Sequence, residues 1–149
     1  MNDQVKEDIL AVINILDWFL TLKGDSKKKK IIFASTSETY AAAASFIKLP
    51  YPTPETVPLA VDDPYNLRWS YGASKMLGEL FFISYWKKCG IRMSIVRYAN
   101  IYGPRMGSEH VIPEFIERIL CREDPFPLYG GENTRTFCYI SDAVKASKI

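Results

Sequence analysis

The sequence predicts an α/β fold in which helices lie on the faces of an incomplete parallel sheet. Helical and strand-like patterns alternate along the chain, which is the order typical of such a sheet. The segment Lys30–Ser35 is a short apolar run rich in β-branched residues, as expected of a parallel strand buried on both faces. A second buried strand is predicted at Ile91–Tyr98. Two strands alone form a marginal sheet, so we expect further strands to be missing from it.

The composition is that of one globular domain with its own hydrophobic core. Of the 149 residues, 48% are hydrophobic and 24% are charged, which excludes a disordered tail, a collagen-like repeat and a coiled coil. The net charge of +2 is too balanced to indicate nucleic acid or an anionic membrane as a partner. The longest apolar stretch, Ile9–Leu22, contains Asn14 and Asp17 and is too short and too polar to span a bilayer.

The cysteines and the start of the chain indicate a reducing compartment. Cys89, Cys121 and Cys138 form neither a Cys-x-x-Cys pair nor an even set, which is the pattern of a protein kept reduced. The first residues lack the basic segment and the small-residue cleavage site of a signal peptide. We therefore expect a cytoplasmic protein, and no residue is assigned to a metal.

Two long helices are predicted, and both are apolar over more than one face. The segment Asp3–Leu22 carries apolar residues at the i, i+3, i+4, i+7 spacing and others beside this stripe, so we expect it to be buried on two sides. Asn2 or Asp3 can cap its start, and Gly24 can end it. The second helix, at about Ser70–Lys88, is similarly broad. Each helix could contact a partner as well as the sheet.

The remaining segments are predicted to be loops and short elements. Five prolines between residues 49 and 68 indicate an irregular surface loop, and the run Lys27–Lys30 is predicted to be a solvated loop. The other predicted elements are a helix at Ile112–Leu120, strands at Phe126–Tyr129 and Arg135–Ile140, turns at Gly103-Pro104 and Gly130-Gly131, and a last helix capped by Ser141-Asp142.

Tyr71 and Lys75, at the start of the second helix, have a spacing that suits proton transfer. Residues four apart lie on one helical face, one turn from each other. A phenol is a poor base at neutral pH, but a nearby ammonium favours the phenolate and lowers the pKa of the phenol. Such a pair can exchange a proton with a sugar or alcohol hydroxyl. The isolated spacing arises by chance in many helices, so its surroundings must support the interpretation.

Polar side chains follow both predicted strands, at the edge where open parallel sheets bind their ligands. Ser35, Thr36, Ser37 and Glu38 end the first strand, and Asn100 follows the second. Serine and threonine are also common in plain strand-end turns, which is the alternative interpretation.

Five motifs in this order resemble the extended short-chain dehydrogenase/reductase family, which contains NAD-dependent nucleotide-sugar epimerases, dehydratases and decarboxylases. They are Phe33-Ala-Ser-Thr-Ser-Glu-Thr-Tyr40, Arg68-Trp-Ser-Tyr-Gly-Ala-Ser-Lys75, Arg97-Tyr-Ala-Asn-Ile-Tyr-Gly-Pro-Arg105, Val111-Ile-Pro-Glu-Phe115 and Tyr129-Gly-Gly-Glu-Asn-Thr-Arg-Thr-Phe-Cys-Tyr-Ile-Ser-Asp142. The resemblance covers nearly the whole chain. It implies an incomplete Rossmann-like sheet, with the C-terminal half of a dinucleotide-binding domain at 1–105 and part of a small substrate-binding region at 106–149.

The resemblance implies roles at the catalytic end of this site. Tyr71 would be the acid/base tyrosine, and Lys75 would hold the nicotinamide ribose and lower the pKa of the tyrosine. Ser35 would lie at the cofactor, and Thr36 would hydrogen-bond the sugar hydroxyl that is oxidised. Glu38 matches an acidic position that dehydratases and decarboxylases use on the sugar.

Further positions are implied to bind the substrate, a UDP- or dTDP-sugar. Ser37 would lie at the sugar, and Asn100 would contact the diphosphate. Arg135 would pair with the same diphosphate, for which a planar guanidinium is suited. Val111 and the segment Pro127–Tyr129 would flank the nucleotide base. From the residues alone, we would predict a surface ion pair for the arginine and a core aromatic for the tyrosine of that segment.

The glycine-rich turn that holds NAD in this family has no match in the sequence. The eight glycines nowhere give Gly-x-x-Gly-x-x-Gly after a strand, the turn that lets backbone amides approach the cofactor pyrophosphate. We therefore expect this chain alone to bind NAD weakly or not at all and to be inactive. Three explanations stay open: a fragment of a longer gene product, one half of a split enzyme, or a remnant that serves as a dimerising or nucleotide-binding module.

The resemblance also implies a homodimer, because in extended members the helices that match 3–22 and 70–88 commonly pack against their copies. The reaction branch stays open. Glu38 favours a dehydratase or a decarboxylase, and the pair Arg68-Trp69 resembles some sugar-nucleotide decarboxylases. Simple 4-epimerases can carry the same string, so an epimerase is the open alternative.

Overall fold

A computed structural model describes residues 3–23 and 29–148 of the chain. Its elements, in order, are α1 (Asp3–Thr21), β1 (Ile31–Thr36), α2 (Ser70–Cys89), β2 (Met93–Tyr98), β3 (Ile101–Tyr102), α3 (Val111–Leu120), β4 (Cys138–Tyr139) and α4 (Ile140–Ser147), with 3₁₀ turns at Ser37–Tyr40, Ala43–Ser45 and Leu67–Trp69. The chain divides into two compact units, the first ending at Tyr98 and the second beginning at Ala99. No helix within the described ranges is both long and apolar enough to cross a membrane.

The first unit is built on the two predicted core strands, which pair in parallel. Ile31 lies opposite Met93, and Thr36 lies opposite Tyr98. This pairing confirms the predicted parallel α/β arrangement. Because parallel strands run in the same direction, the polar residues at their carboxyl ends lie at one edge of the sheet.

The core of the first unit lies between this sheet and the two long helices. Leu16 of α1, Phe33 of β1 and Phe82 of α2 are buried together with Ile91. The rings of the two phenylalanines stack with their centroids 4.8 Å apart. A Cβ at Gly78 would lie 2.4 Å from the Phe33 ring, so the helix approaches the strand this closely only because it carries glycine there.

The sheet is covered on one face only, within the described residues, which corrects the prediction for β1. Phe33 and Ser35 are buried under the helices, whereas Ile32 and Ala34, which alternate with them, are exposed. Both helices contribute their buried side chains to the face that carries Phe33. The apolar run predicted two buried faces, but no described element packs on the second one.

The two long helices pack against each other and still expose large apolar side chains. Tyr85 OH donates to Asp17 Oδ1 over 2.5 Å, and Ser74 Oγ lies 3.2 Å from Asp8 Oδ2. The exposed apolar residues of α1 and α2 include Leu10, Ile15, Trp18, Leu20, Leu77, Leu80 and Trp86. The broad apolar circumference that the sequence predicts is therefore only partly buried.

A lysine of the predicted solvated run binds the two residues that follow α1. Lys29 Nζ donates to the carbonyl oxygens of Leu22, over 2.7 Å, and of Lys23, over 2.5 Å. Cationic side chains stabilise a helix C-terminus in this position. The predicted cap at Asn2 and helix end at Gly24, and the first lysines of the run, lie outside the described residues.

The second unit contains a short parallel pair, β3 with β4, in which Ile101 lies opposite Cys138. The predicted strand Phe126–Tyr129 is wrong. Its first residue instead packs its ring 5.5 Å from that of Phe115 and under the guanidinium of Arg118, 4.0 Å away. These contacts hold the segment to α3 rather than to a sheet.

Two further predictions in the second unit give the wrong residue ranges for β4 and for the start of α4. The strand predicted at Arg135–Ile140 is only Cys138–Tyr139, because its partner β3 is only two residues long and pairs with these two residues alone. Helix α4 already begins at Ile140, after an N-cap residue that makes no side-chain cap bond. Ser141 and Asp142 therefore lie in the first turn of α4 and not before it.

Candidate active site

The end of β1 turns sharply and leaves polar side chains at the sheet edge. Thr36 Oγ1 accepts a hydrogen bond from the backbone N–H of Glu38 over 3.2 Å, and Thr39 Oγ1 donates to the carbonyl of Thr36 over 2.8 Å. These bonds form the 3₁₀ turn Ser37–Tyr40. The Thr36 and Thr39 side chains are buried, Ser37 is half-buried and Glu38 is exposed.

The first turn of α2 lies directly against this 3₁₀ turn. A Cβ at Gly72 would lie 3.4 Å from the carbonyl oxygen of Glu38, so the two backbones are in contact there. Asn66 Oδ1 accepts from the N–H of Arg68 over 3.1 Å and caps the short turn that leads into α2. Since Tyr71 precedes this glycine, its position on the helix is next to the polar strand end.

Tyr71 and Lys75 lie side by side, as their spacing predicts. The ammonium nitrogen of Lys75 is 5.8 Å from the centroid of the Tyr71 ring and donates to the carbonyl oxygen of Ala34 over 3.0 Å. The tyrosine is 46% exposed, so its phenol is open to a substrate. An accessible phenol beside an ammonium and a hydroxyl-bearing strand end can exchange a proton with an alcohol group.

A buried charged network lies beneath this strand end, and sequence reasoning did not find it. Arg97 donates from Nε to Glu79 Oε1 over 2.8 Å and from Nη2 to Oε2 over 2.6 Å. Ser35 Oγ donates to Glu79 Oε1 over 2.5 Å, and Arg97 Nη1 donates to Tyr40 OH over 2.8 Å. The hydrogen bonds to Glu79, more than any other contact, raise the pKa of Arg97, so its guanidinium stays charged.

The buried hydroxyl of Ser35 is thus directed to Glu79 rather than to the surface. Its predicted contact with a cofactor stays a prediction. Glu79 itself was the available sequence signal, because a carboxylate among the apolar residues Leu77, Leu80 and Phe82 must find a partner when its helix is buried.

In the second unit, the predicted diphosphate-binding residues lie close together. Asn100 has a positive φ of 42°, a conformation that asparagine adopts more readily than most residues. Its Nδ2 donates to the carbonyl of Thr136 over 2.8 Å, and its own carbonyl accepts from the N–H of Cys138 over 3.3 Å. These bonds fix the segment that carries Arg135, which is exposed.

The predicted base-flanking residues are on the surface of the same unit. Val111, the first residue of α3, is 40% exposed, and Tyr129 is 92% exposed. Pro127 is held through its carbonyl oxygen, which accepts from Arg118 Nη2 over 2.8 Å. The expectation of a core aromatic, drawn from the residues alone, is therefore wrong for Tyr129.

An open, mostly apolar cavity of about 670 Å³ also lies in the second unit. The side chains of Tyr102, Met106, Ile112, Ile116 and Leu120 form much of its wall. None of the residues predicted to bind the nucleotide lines it, among the residues that the structure describes.

These features are those of the NAD-dependent epimerase/dehydratase family, and the chain belongs to it. The family model, described as the NAD dependent epimerase/dehydratase family, matches residues 1–149. The family resemblance of the five motifs and the predicted Rossmann-like fold are thereby confirmed.

Particular relatives include enzymes of several reaction branches. The chain is 40% identical over 135 residues to a UDP-N-acetyl-alpha-D-glucosaminuronate decarboxylase of Bacillus cytotoxicus, covering 85% of this chain and 37% of that protein. It is 33% identical over 143 residues to a putative UDP-glucose 4-epimerase of Methanocaldococcus jannaschii, covering 94% and 42%. The chain thus spans well under half the length of these curated relatives.

Solved structures show the same fold. A UDP-glucose 4-epimerase of Thermotoga maritima, crystallised with UDP-glucose, superposes with a TM-score of 0.77 at 28% identity, over 95% of this chain and 43% of that one. A UDP-glucuronic acid 4-epimerase of Bacillus cereus, in complex with UDP-glucuronic acid and NAD, gives 0.72 at 26% identity, over 95% and 40%.

The start of α2 fits the ribose end of NAD, the cofactor of this family. A protonated lysine carries three N–H donors, and the bond to Ala34 accounts for one donor of Lys75. The ammonium nitrogen lies 5.8 Å from the centroid of the Tyr71 ring, and two remaining donors match the two hydroxyls of a ribose in number. The sequence contains no Gly-x-x-Gly-x-x-Gly turn for the pyrophosphate, so the fit concerns the ribose end only.

Proposed function

We propose that this chain carries the proton-transfer site of an NAD-dependent nucleotide-sugar epimerase, dehydratase or decarboxylase that acts by transient oxidation of a sugar hydroxyl. One observation carries the proposal. The exposed phenol of Tyr71 lies beside the Lys75 ammonium, on a helix that rests on the backbone of Glu38. The relatives named above act on nucleotide sugars, which supports this substrate class.

The proposed chemistry assigns one task to each side chain. Tyr71, acting as a phenolate, accepts the proton of the sugar hydroxyl at its ring oxygen and becomes a neutral phenol, and Lys75 holds the ribose through N–H donors. Thr36 Oγ1 already accepts a hydrogen bond from the backbone N–H of Glu38. Its own O–H group is therefore proposed to donate a hydrogen bond to the sugar. The cofactor, when bound, supplies the hydride acceptor.

Glu38 is proposed to act on the keto-sugar rather than in the oxidation. Its side chain is exposed in the 3₁₀ turn that follows β1, and the proposal has it act on a carbon next to the oxidised one. A carboxylate in that place serves a dehydratase or decarboxylase by moving a proton. Ser37, half-buried beside it, is proposed to hold the sugar.

The second unit is proposed to hold the UDP or dTDP part of the substrate. Arg135 would pair with the diphosphate, where a guanidinium forms two parallel hydrogen bonds. Asn100, the residue just before β3, would support it through the same diphosphate. Val111 and the segment Pro127–Tyr129, both at the surface, would flank the base. The three free cysteines suit a cytoplasmic setting.

A homodimer formed through α1 and α2 is part of the proposal, because these helices expose apolar side chains such as Trp18 and Leu80, 59% and 61% exposed. Leu80→Asp should halve the mass measured by equilibrium sedimentation, since it places a charge in the apolar contact. Leu128→Asp, at the equally exposed Leu128 of the second unit (61%), serves as the control. A wild-type protein with monomeric mass would contradict the dimer.

The alternative is a catalytically inactive module that dimerises or binds nucleotides. It is favoured by the eight glycines, which give no NAD-binding turn. Calorimetric titration of the chain with NAD and with UDP separates the two. Binding of NAD by the chain contradicts the inactive module. Binding of UDP alone is expected of this chain by itself under both hypotheses, so turnover by the gene product that contains it then decides.

The proposed activity is tested on the gene product that contains this chain, with a panel of UDP- and dTDP-sugars that includes UDP-glucuronic acid. The product formed identifies the branch: a 4-epimer, a 4-keto-6-deoxy sugar or a decarboxylated sugar. Absence of turnover for the whole panel, in a sample that binds NAD, would overturn the proposal.

A further inference from the structure

Glu79 is an unusual residue for its place in the fold. Its side chain is 3% exposed, and it lies on the face of α2 that packs on the sheet. Burying a carboxylate is costly unless it is paired and fully hydrogen-bonded. Here both oxygens are used: Arg97 binds them through two parallel bonds, and Ser35 donates a third.

Stability alone does not explain such a network. Replacing a buried ion pair by apolar side chains of similar volume is often neutral or stabilising. The charged pair adds a fixed orientation of its two side chains, because a bidentate arginine–carboxylate contact holds two planar groups in one geometry. The network is therefore suited to fix the elements that contribute to it relative to each other.

Those elements are the ones that carry the proposed catalytic residues. Glu79 lies on α2, one helical turn after Lys75 and two after Tyr71. Ser35 is the residue before Thr36 on β1, and it lies opposite Arg97 of β2 in the sheet register.

The fourth member completes the link to the turn. Tyr40 is the last residue of the 3₁₀ turn that contains Ser37 and Glu38. Its hydroxyl accepts from Arg97 Nη1 over 2.8 Å, and the guanidinium carbon lies 4.9 Å from its ring centroid. The arginine thus clamps the far end of the turn, whose near end is held by Thr36.

We propose that Glu79 and Arg97, with Ser35 and Tyr40, are positioning residues that hold the strand end bearing Thr36 and Glu38 in register with the helix bearing Tyr71 and Lys75. The inference rests on the proposed function, because that function gives these residues their roles. The network itself does not touch the substrate. It keeps proton acceptor and sugar-binding groups at a fixed separation, and a misplacement of about 1 Å in such groups can cost roughly 100-fold in rate.

The test observes the site in the folded chain without requiring activity. Two NMR signals report on it: the amide of Glu38, and the ring carbon bearing the hydroxyl of Tyr71, assigned by loss of the signal in Tyr71→Phe. Glu79→Gln should shift both signals, and Tyr40→Phe should shift the amide by less. The core variant Ile91→Val is the control, since it lowers stability at a buried residue (6% exposed) outside the network.

Each outcome decides the inference. Unchanged reporter signals in folded Glu79→Gln would overturn it, as would equal shifts in Ile91→Val, because the network would then act through stability alone. Should Glu79→Gln fail to fold, Tyr40→Phe decides in its place, and an unmoved Glu38 amide in that variant contradicts the proposal.

A kinetic arm separates this inference from the proposed function. In the gene product that contains the chain, Glu79→Gln should lower kcat roughly 10- to 100-fold with little change in KM for the sugar nucleotide. A rise in KM with unchanged kcat would contradict a positioning role. Activity that survives Tyr71→Phe would instead overturn the proposed function and leave the NMR result standing.

Discussion

The two units of the chain hold their candidate site residues in different ways. In the first unit, the residues around Thr36 and Tyr71 stand on a buried core and a buried charged network. In the second unit, Ala143 is the one buried hydrophobic residue among those described, and Tyr129 and Arg135 are exposed. A catalytic group needs a fixed position before the substrate arrives, whereas a group that grips a nucleotide can be ordered by the ligand itself. The first unit therefore holds its candidate site residues in a fixed geometry before any substrate binds.

Truncation of a large side chain should give the largest difference between the two units in the free energy of unfolding. Phe82→Ala removes a ring that is 3% exposed and stacked on Phe33, so we expect a loss of about 3–5 kcal/mol in the free energy of unfolding. Tyr129→Ala removes a ring that is 92% exposed and should change stability by less than about 0.5 kcal/mol. Denaturant unfolding of both variants measures the difference. Equal losses would contradict the contrast between the units.

Adding a methyl group at a glycine should give the next largest loss in the free energy of unfolding. A Cβ at Gly78 would lie 2.4 Å from the Phe33 ring, so Gly78→Ala forces the helix and strand apart and should cost about 1–3 kcal/mol. Nothing lies within 4 Å of a Cβ at Gly131 in the second unit, so Gly131→Ala is the matched control. A Gly78 variant as stable as the control would show that α2 can move on the sheet.

The smallest effect on stability is expected at alkaline pH, and it comes from the hydrogen bond between α1 and α2. The hydrogen bond to Asp17 raises the pKa of Tyr85 above its usual value of 10.0. A group whose pKa is raised on folding contributes stability below its unfolded pKa and loses it as the pH rises through the folded pKa. Thermal unfolding above pH 10 should therefore weaken the wild type more than Tyr85→Phe. Parallel curves for the two proteins would exclude this contribution.

The sequence predicted the elements that depend on local periodicity. Asp3–Leu22 and Ser70–Lys88 follow the helical spacing closely and match α1 and α2 to within a residue or two. The parallel core strands were also predicted. The strand at Phe126–Tyr129 was not correct, because a short apolar run does not say whether it joins a ladder or packs on a helix, and here Arg118 and Phe115 decide.

From the residues alone, the site was predictable where its residues are neighbours along a helix or at the end of a predicted strand. Tyr71 and Lys75 are linked by a spacing of four, which fixes a shared face before any tertiary structure is known. Glu79 and Arg97 are 18 residues apart, and their pairing depends on the register of β2 beside β1 and on how α2 lies over both. Tertiary contacts of that kind leave no periodic trace in the sequence.

The central claim is that Tyr71, acting as a phenolate, accepts the proton of a sugar hydroxyl. The most direct measurement mixes the NAD-loaded gene product that contains this chain with its sugar nucleotide and follows the absorbance of reduced nicotinamide in the first turnover. Tyr71→Phe should slow this step by roughly 100- to 10,000-fold, the range of general base catalysis. Tyr65→Phe, at a tyrosine 94% exposed, should leave it unchanged. A Tyr71→Phe protein that reduces the nicotinamide at the wild-type rate would contradict the claim.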